Sequence, residues 1–228
     1  MTSRAVVLAL ALACAGPVLG QSKNLAAGFS ILPKGATVAV MPTDIELFSI
    51  SAGGVMEPRA DWTDAASRYF KAALLAKKRA LGLATAELSE KDADETAELN
   101  ALHGAVARAI SLHHFGSLGL PTKDGRLDWS LGESVRALRQ RTGADYALFS
   151  WVRDSYASDE RKAAMIALAL LGVGMGGGMQ VGYASLVDLN SGRVLWFNQL
   201  MRATGDLRDA EKAKETLEIL LNEFPVSQ

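Results

Sequence analysis

GADYALFSWV, residues 143–152, and YASLVDLNSGRVLWFN, residues 183–198, set the architecture of this chain. In the first, residues 144–152 are apolar on both faces. A strand of that kind needs cover on both sides, so it belongs at a central sheet position or beside a subunit contact. In the second, Asp188, Asn190, Ser191 and Gly192 supply hairpin-turn chemistry, because Asn and Gly tolerate positive φ. The flanking residues, 180–189 and 193–201, then return on each other as antiparallel strands.

Working outward, ATVAVM, residues 36–41, is a short apolar run between Gly35 and Pro42 and reads as another buried strand. IELFSI, residues 45–50, reads as a short second strand inside a loop over residues 43–59. A helix is predicted from Asp61, whose carboxylate is placed to cap the first turn, with Trp62, Ala66, Tyr69, Phe70, Ala73 and Leu74 at helical spacing. Lys77, Lys78 and Arg79 complement the carboxyl end of its dipole. A second helix is expected over residues 89–115, with Leu99, Leu102, Val106 and Ile110 on one face, and Gly116, Gly119 and Pro121 end it. A third covers residues 131–142, where Ser130 and Glu133 have capping-box spacing and Gly143 sits at the left-handed stop. Asp206 is expected to cap a final helix that buries Leu207, Ala210, Ala213, Leu217, Leu220 and Leu221. The class is therefore α/β (α+β): a single sandwich, residues 36–228, of a mixed sheet of about four strands packed with helices.

Residues 163–187 carry no charge. Length alone would nominate a membrane-spanning helix. Against that, GVGMGGGMQVG is a poor helix former, and Arg161 and Lys162 would be stranded outside in a chain whose N-terminus is already exported. The expectation is a buried helix over residues 161–171, packed on the sheet, then a glycine loop over residues 172–178.

MTSRAVVLALALACAGPVLG, residues 1–20, joins a basic start to an apolar run and a helix-breaking Pro17, and reads as a secretory signal peptide, with residues 21–35 an extended, weakly structured N-terminal arm. Cleavage before Gln21 gives a periplasmic chain without cysteine, and so without disulfide or thiol chemistry. Acylation of Cys14 is the other route and would give a membrane-anchored lipoprotein, although Leu12 stands where such signals carry a small residue. Lys plus Arg total 24 against 25 Asp plus Glu, so no basic excess draws the chain to nucleic acid.

The chemical motifs do not assemble into a catalytic signature. Gly172, Gly174 and Gly177 satisfy G-x-G-x-x-G, yet a dinucleotide site needs strand before and helix after, and here the order is reversed. His103, His113 and His114 lack the i, i+4 spacing of helical metal ligands and read as partners of exposed carbonyls at a helix end. Ser150 and Ser155 near Asp154 have no identified base, and Asp92, Asp94 and Glu95 are explained by a helix start. Trp62, Trp129, Trp151 and Trp196 are too dispersed to argue for a sugar site. No cofactor, metal or catalytic residue is expected.

VAVMP, residues 38–42, together with the two stretches quoted first, resembles the α/β domain shared by bacterial envelope proteins of the TolB N-terminal, curli-secretion CsgG and small envelope lipoprotein type. In that pattern a glycine-ended helix feeds a Gly-Ala-Asp-aromatic strand, and a D-x-x-[ST]-G turn precedes a strand bearing Trp. The resemblance implies a periplasm-exposed assembly or binding module without catalytic residues.

The expected function is a non-catalytic periplasmic interaction module in cell-envelope assembly, secretion or maintenance. Its partner is another envelope protein or a further copy of the chain. Gly172, Gly174, Met175, Gly176, Gly177, Gly178 and Met179 are the candidate contact, since methionine adapts to irregular surfaces and glycine permits close backbone approach. A membrane-inserting or pore-forming subunit using residues 163–187 is the alternative, disfavoured because a transmembrane hairpin alternates in polarity and residues 163–171 do not. An envelope hydrolase ranks last.

Overall fold

The computed structural model describes residues 22–81, 83–86, 88 and 96–226. The expected signal peptide over residues 1–20, Cys14, Gln21 and the acidic start of the expected second helix, including Asp92, Asp94 and Glu95, lie outside the described residues.

The strands among the described residues are β1 (Thr37–Val40), β2 (Asp44–Ile50), β3 (Met56–Pro58), β4 (Ala84–Ala86), β5 (Tyr146–Ala157), β6 (Gln180–Asp188) and β7 (Val194–Arg202). They form one mixed sheet of seven strands, larger than the four or so expected because β3 and β4 are three-residue edge strands with no readable pattern. β5 is its axis. β1 and β2 both run parallel to β5, β1 beside its first part and β2 beside its second, while β6 lies antiparallel on the other side and carries β7. β1 and β2 are thus one line of chain broken at Pro42. Val40 pairs with Leu148 and Asp44 with Trp151, so the broken line holds one residue more than β5 across the gap.

Both faces of β5 are covered, as its sequence requires. Leu148 and Val152 pack with Leu186, Trp196 and Leu200 beneath α1 (Ala60–Ala80) and the C-terminal helix. Ala147 and Phe149 pack with Tyr183, Val187 and Phe197 beneath α2 (Ala97–Ile110) and α3 (Arg136–Thr142). The remaining helices are α4 (Asp159–Ala169) and α5 (Ala210–Leu220). α5 buries Ala213, Leu217 and Leu220, as its spacing predicts, and each fully buried leucine contributes about 1.5–3 kcal/mol.

Several local expectations are corrected. Asp61 does not cap α1; it turns back to an ion pair with Arg59 at 3.0 Å, and Tyr69 is exposed, leaving Ala66 and Phe70 as the buried face. α2 continues as a π-helical turn, Ser111–Phe115. The capping box does not close: Ser130 Oγ accepts from Gly132 N at 2.9 Å, Glu133 pairs with Arg136, and a 3₁₀ turn, Gly132–Val135, precedes α3. Gly143 does take the left-handed stop, with φ 65°. Asp209, rather than Asp206, caps α5 by accepting from Lys212 N at 3.0 Å, because Asp206 is engaged by the backbone and side chain of Arg208; Ala210 is exposed.

The largest correction concerns α4. No residue of it is buried, so it is not packed on the sheet as expected. The reason is architectural: both faces of the sheet are already taken, and α4 begins where β5 ends, beyond the covered surface. Within residues 22–35, expected as an extended arm, residues 24–26 pair with the outer edge of β7 and Leu32 N donates to Pro225 O. Ala26 N donates to Leu195 O, Phe197 N donates to Asn24 O, and Ala26 and Leu32 are buried.

Candidate functional site

The end of the sheet where β5 and β2 finish carries the unusual surface. Ser158 N donates to Ile50 O, and Ser158 Oγ accepts from Arg161 N at 3.2 Å, which starts α4 with a serine cap. At the other end, Val173 N donates to Leu168 O and Gly172 N to Ala169 O, with Gly172 at φ 78°. That is a Schellman stop, and it explains Gly172 without a ligand. The chain then returns to the sheet: Ala157 N donates to Gly177 O at 2.6 Å, and Met179 N donates to Ser155 Oγ at 2.9 Å. At Gly178, with φ 152°, a Cβ would stand 1.9 Å from Ser155 O, so only glycine fits.

Arg161 ties the pieces together. Its Nε donates to Gly176 O at 3.0 Å and its Nη1 to Ser51 O at 3.2 Å, joining the glycine loop to the turn between β2 and β3. Apolar side chains crowd the outside of this assembly. Ile166 is 67% exposed, Leu170 84% and Leu171 78%, and Val55, Met56, Val173 and Met179 are about half exposed or more. These seven are a majority of the thirteen large apolar residues exposed among the described residues, so the clustering is not the ordinary scatter of surface hydrophobics.

Of the residues nominated from sequence, Met179, Gly172, Gly174 and Gly176 lie exposed in this region, whereas Met175, Gly177 and Gly178 are half-buried. Sequence reasoning missed Val55, Met56, Ile166, Leu170, Leu171 and Val173. For Ile166, Leu170 and Leu171 the signal was the absence of any polar face in residues 163–171; Val55, Met56 and Val173 lie outside that run. The order helix, glycine loop, strand is also confirmed, opposite to a dinucleotide fingerprint.

Just inside this end lies a buried polar cluster. Asp154 Oδ2 accepts from Gln180 Nε2 at 2.7 Å, from the Tyr156 hydroxyl and from Leu207 N, while its Oδ1 accepts from Ser155 N at 3.0 Å. Gln180 Oε1 accepts in turn from Arg202 Nε and Thr216 Oγ1, at 2.8 and 3.1 Å. Burial raises the Asp154 carboxyl above its ordinary value, and the donated hydrogen bonds oppose that rise. Burial, and then the carboxylate itself, raise the Tyr156 phenol. The cluster is closed on itself and ties the chain entering α5 to the sheet.

The histidines separate. His113 and His114 partner the Leu118 and Lys23 carbonyls, in keeping with the sequence reading. His103 differs: it is buried, stacked on Phe149 at 4.2 Å, hydrogen-bonded to Ser185 Oγ, and burial pushes its pKa down to about 3. Among the described residues no group of three His, Cys, Asp or Glu side chains is arranged to hold a metal ion. Each tryptophan ring is already engaged: Trp62 by Arg59 and Arg208, Trp151 by Tyr183 and Arg153, Trp129 by Lys123 and His113, Trp196 by Phe224.

No protein-family model and no curated protein matches this chain. Among solved structures it is similar to a PelC dodecamer subunit from Paraburkholderia phytofirmans, with 16% identity, a TM-score of 0.41, and 88% of this chain and 96% of that one covered. It is similar to lipoprotein GNA1162 from Neisseria meningitidis, with 17% identity, a TM-score of 0.32, and 75% and 81% covered. The LpoB C-terminal domain from Salmonella enterica gives 12% identity, a TM-score of 0.30, and 78% and 87% covered. At such identities and scores the superpositions are loose, and no function carries over from them.

Proposed function

We propose that this chain is an exported, non-catalytic module of the bacterial cell envelope that binds another envelope protein through the apolar end built by α4, residues 170–179 and the β2–β3 turn. The observation that carries this reading is the clustering of exposed large apolar side chains there. A patch of that kind marks an interaction surface, and here the backbone beneath it is fixed by capped, hydrogen-bonded segments. Export is supported by the pattern of residues 1–20. The assembly, secretion or maintenance role follows from that compartment and from the resemblance of three strand segments to envelope domains.

Membrane insertion is a second reading, favoured by one observation: the end of α4 is apolar on all its sides, with Ile166, Leu170 and Leu171 exposed. Two facts weigh against it. No described helix is long and apolar enough to cross a membrane, and the N–H and C=O groups of Gly174 and Met175, which make no hydrogen bond among the described residues, would enter hydrocarbon without partners.

Photo-crosslinking from position 171 in intact cells, with position 112 as a control on a distant exposed leucine, tests both. A discrete protein adduct from 171 alone is the expected result. Adducts to lipid alone would replace this reading with membrane insertion, and a ladder of the chain's own multiples would make the partner a second copy.

A further inference from the structure

Between α2 and the β5–β6 face lies an open cleft of about 430 Å³, at the break between β1 and β2. Its floor contains Tyr183, which is 4% exposed and whose hydroxyl has no protein hydrogen-bond partner among the described residues. Every other part of Tyr183 is accounted for: its ring stacks on Trp151 at 5.0 Å and on Phe197 at 5.9 Å. The ring is buried while the hydroxyl opens into the cleft, where it is a donor free for a bound molecule.

Two neighbours shape the space in front of it. Gly104 sits inside α2, where glycine costs about 1 kcal/mol relative to alanine. A Cβ there would lie 3.4 Å from the Tyr183 hydroxyl and 3.7 Å from Arg108 Nη1, in ordinary contact with both. Alanine would therefore fit the protein, and what it would fill is the space shared by the phenol and the guanidinium. Arg108 is exposed and forms no ion pair among the described residues. On the opposite wall Asp44 is paired with Arg153 at 2.8 Å, which also holds Glu46 at 3.2 Å.

We propose that this cleft binds a carboxylate, its oxygens taken by the Tyr183 hydroxyl and the Arg108 guanidinium. A phenol and a guanidinium are donors to one oxyanion, and partial desolvation in the cleft strengthens both bonds. Burial pushes the Tyr183 pKa up to about 12, which keeps the phenol a donor at any physiological pH. His103, neutral for the reason given above, adds no second cation, so the site suits a single negative charge. The carboxylate comes from a free small acid or from a peptide C-terminus, and the volume accommodates either.

The test is an amide-resolved NMR titration of the mature chain with acetate, with acetyl-alanyl-alanine, and with the carboxamide of that dipeptide. Saturable shifts confined to residues 100–108 and 182–184 with the acids, and none with the carboxamide, are expected. Tighter binding of the dipeptide acid assigns the source as a chain terminus, and equal binding assigns it as a small acid. Tyr183→Phe should weaken binding about tenfold while keeping the melting midpoint, since no protein hydrogen bond is lost. Gly104→Ala should raise the midpoint and abolish binding. Arg108→Gln, at an exposed position, keeps the test open should Gly104→Ala fail to fold. No saturable shift with either acid, or shifts unchanged in Tyr183→Phe and Arg108→Gln, would overturn the assignment.

Discussion

Met179 and Gln180 are neighbours in the chain, yet the first is half open to solvent and the second is sealed off. The contrast extends to the segments on either side of them. Inward, Asp154, Tyr156, Gln180, Arg202 and Thr216 satisfy one another in a closed polar cluster. Outward, Ile166, Leu170, Leu171 and Val173 stand in solvent without apolar cover. The usual distribution of polarity is inverted across a few residues of chain. The cluster anchors the end of the sheet rigidly, and the surface it anchors is left apolar. Stability and interaction are thereby assigned to different side chains.

The sharpest way to break this comparison is through Asp154. Asp154→Ala strands the Gln180 amide and the Tyr156 hydroxyl, whereas Leu207 N keeps the Tyr156 oxygen and Ser155 N the Met179 carbonyl as acceptors, and should cost about 2–4 kcal/mol in a denaturant melt. An unchanged midpoint would mean the cluster anchors nothing. Acid should act next most strongly on the buried polar side, through His103. Its folded pKa lies below the ordinary 6.5, so the stability it contributes is present above pH 6.5 and is lost as pH falls from there toward about 3. Asp154 has the opposite sign: its raised pKa contributes stability that is complete below the ordinary 3.8 and is lost as pH rises through the folded value. Comparing the pH dependence of melting in wild type and His103→Gln isolates the histidine, and the variant should lack most of the decline between pH 6.5 and 4.

On the outward side the expected costs are small. Leu168 is half-buried, and Leu168→Asp should cost about 1 kcal/mol, well short of a core leucine. A loss of several kcal/mol would show that α4 is held against the body after all. Leu170→Glu with Leu171→Glu should leave the denaturant midpoint within about 0.5 kcal/mol while weakening the crosslinked partner adduct. Equal loss of fold and adduct would erase the division between the two regions.

Legibility in the sequence follows the range of the interactions. The left-handed Gly143 and the two-faced run in β5 are local signals and form as read, and the turn at residues 188–192 forms with Gly192 at φ 74° while Asn190, expected to share that conformation, keeps a negative φ and donates its N–H to Asp188 Oδ1 instead. The burial of α4 was misread because an uncharged helix looks the same whether its cover is its own sheet or another molecule. Only the full sheet shows that both faces are already occupied. Asp154 carries no local mark either, since its partners Gln180 and Leu207 come from distant parts of the chain. The choice between Asp206 and Asp209 as helix cap turns on which of them Arg208 claims, a contact that spacing does not encode.

The break at Pro42 works as a phase shifter. Ala39 and Met41 face the core under α2, whereas Ile45 and Leu47, also at odd positions, face the opposite core under α1. Strand side chains alternate strictly, so an uninterrupted strand would send all four to one side. The single extra residue at the break inverts the count, and odd and even exchange layers. Residues 37–50 are therefore written in two frames, like a coding sequence with a programmed slip. Removing one residue at position 42 or 43 would restore a single frame and turn the whole of β2 inside out, while leaving its composition and hydrophobicity as suitable for a strand as before.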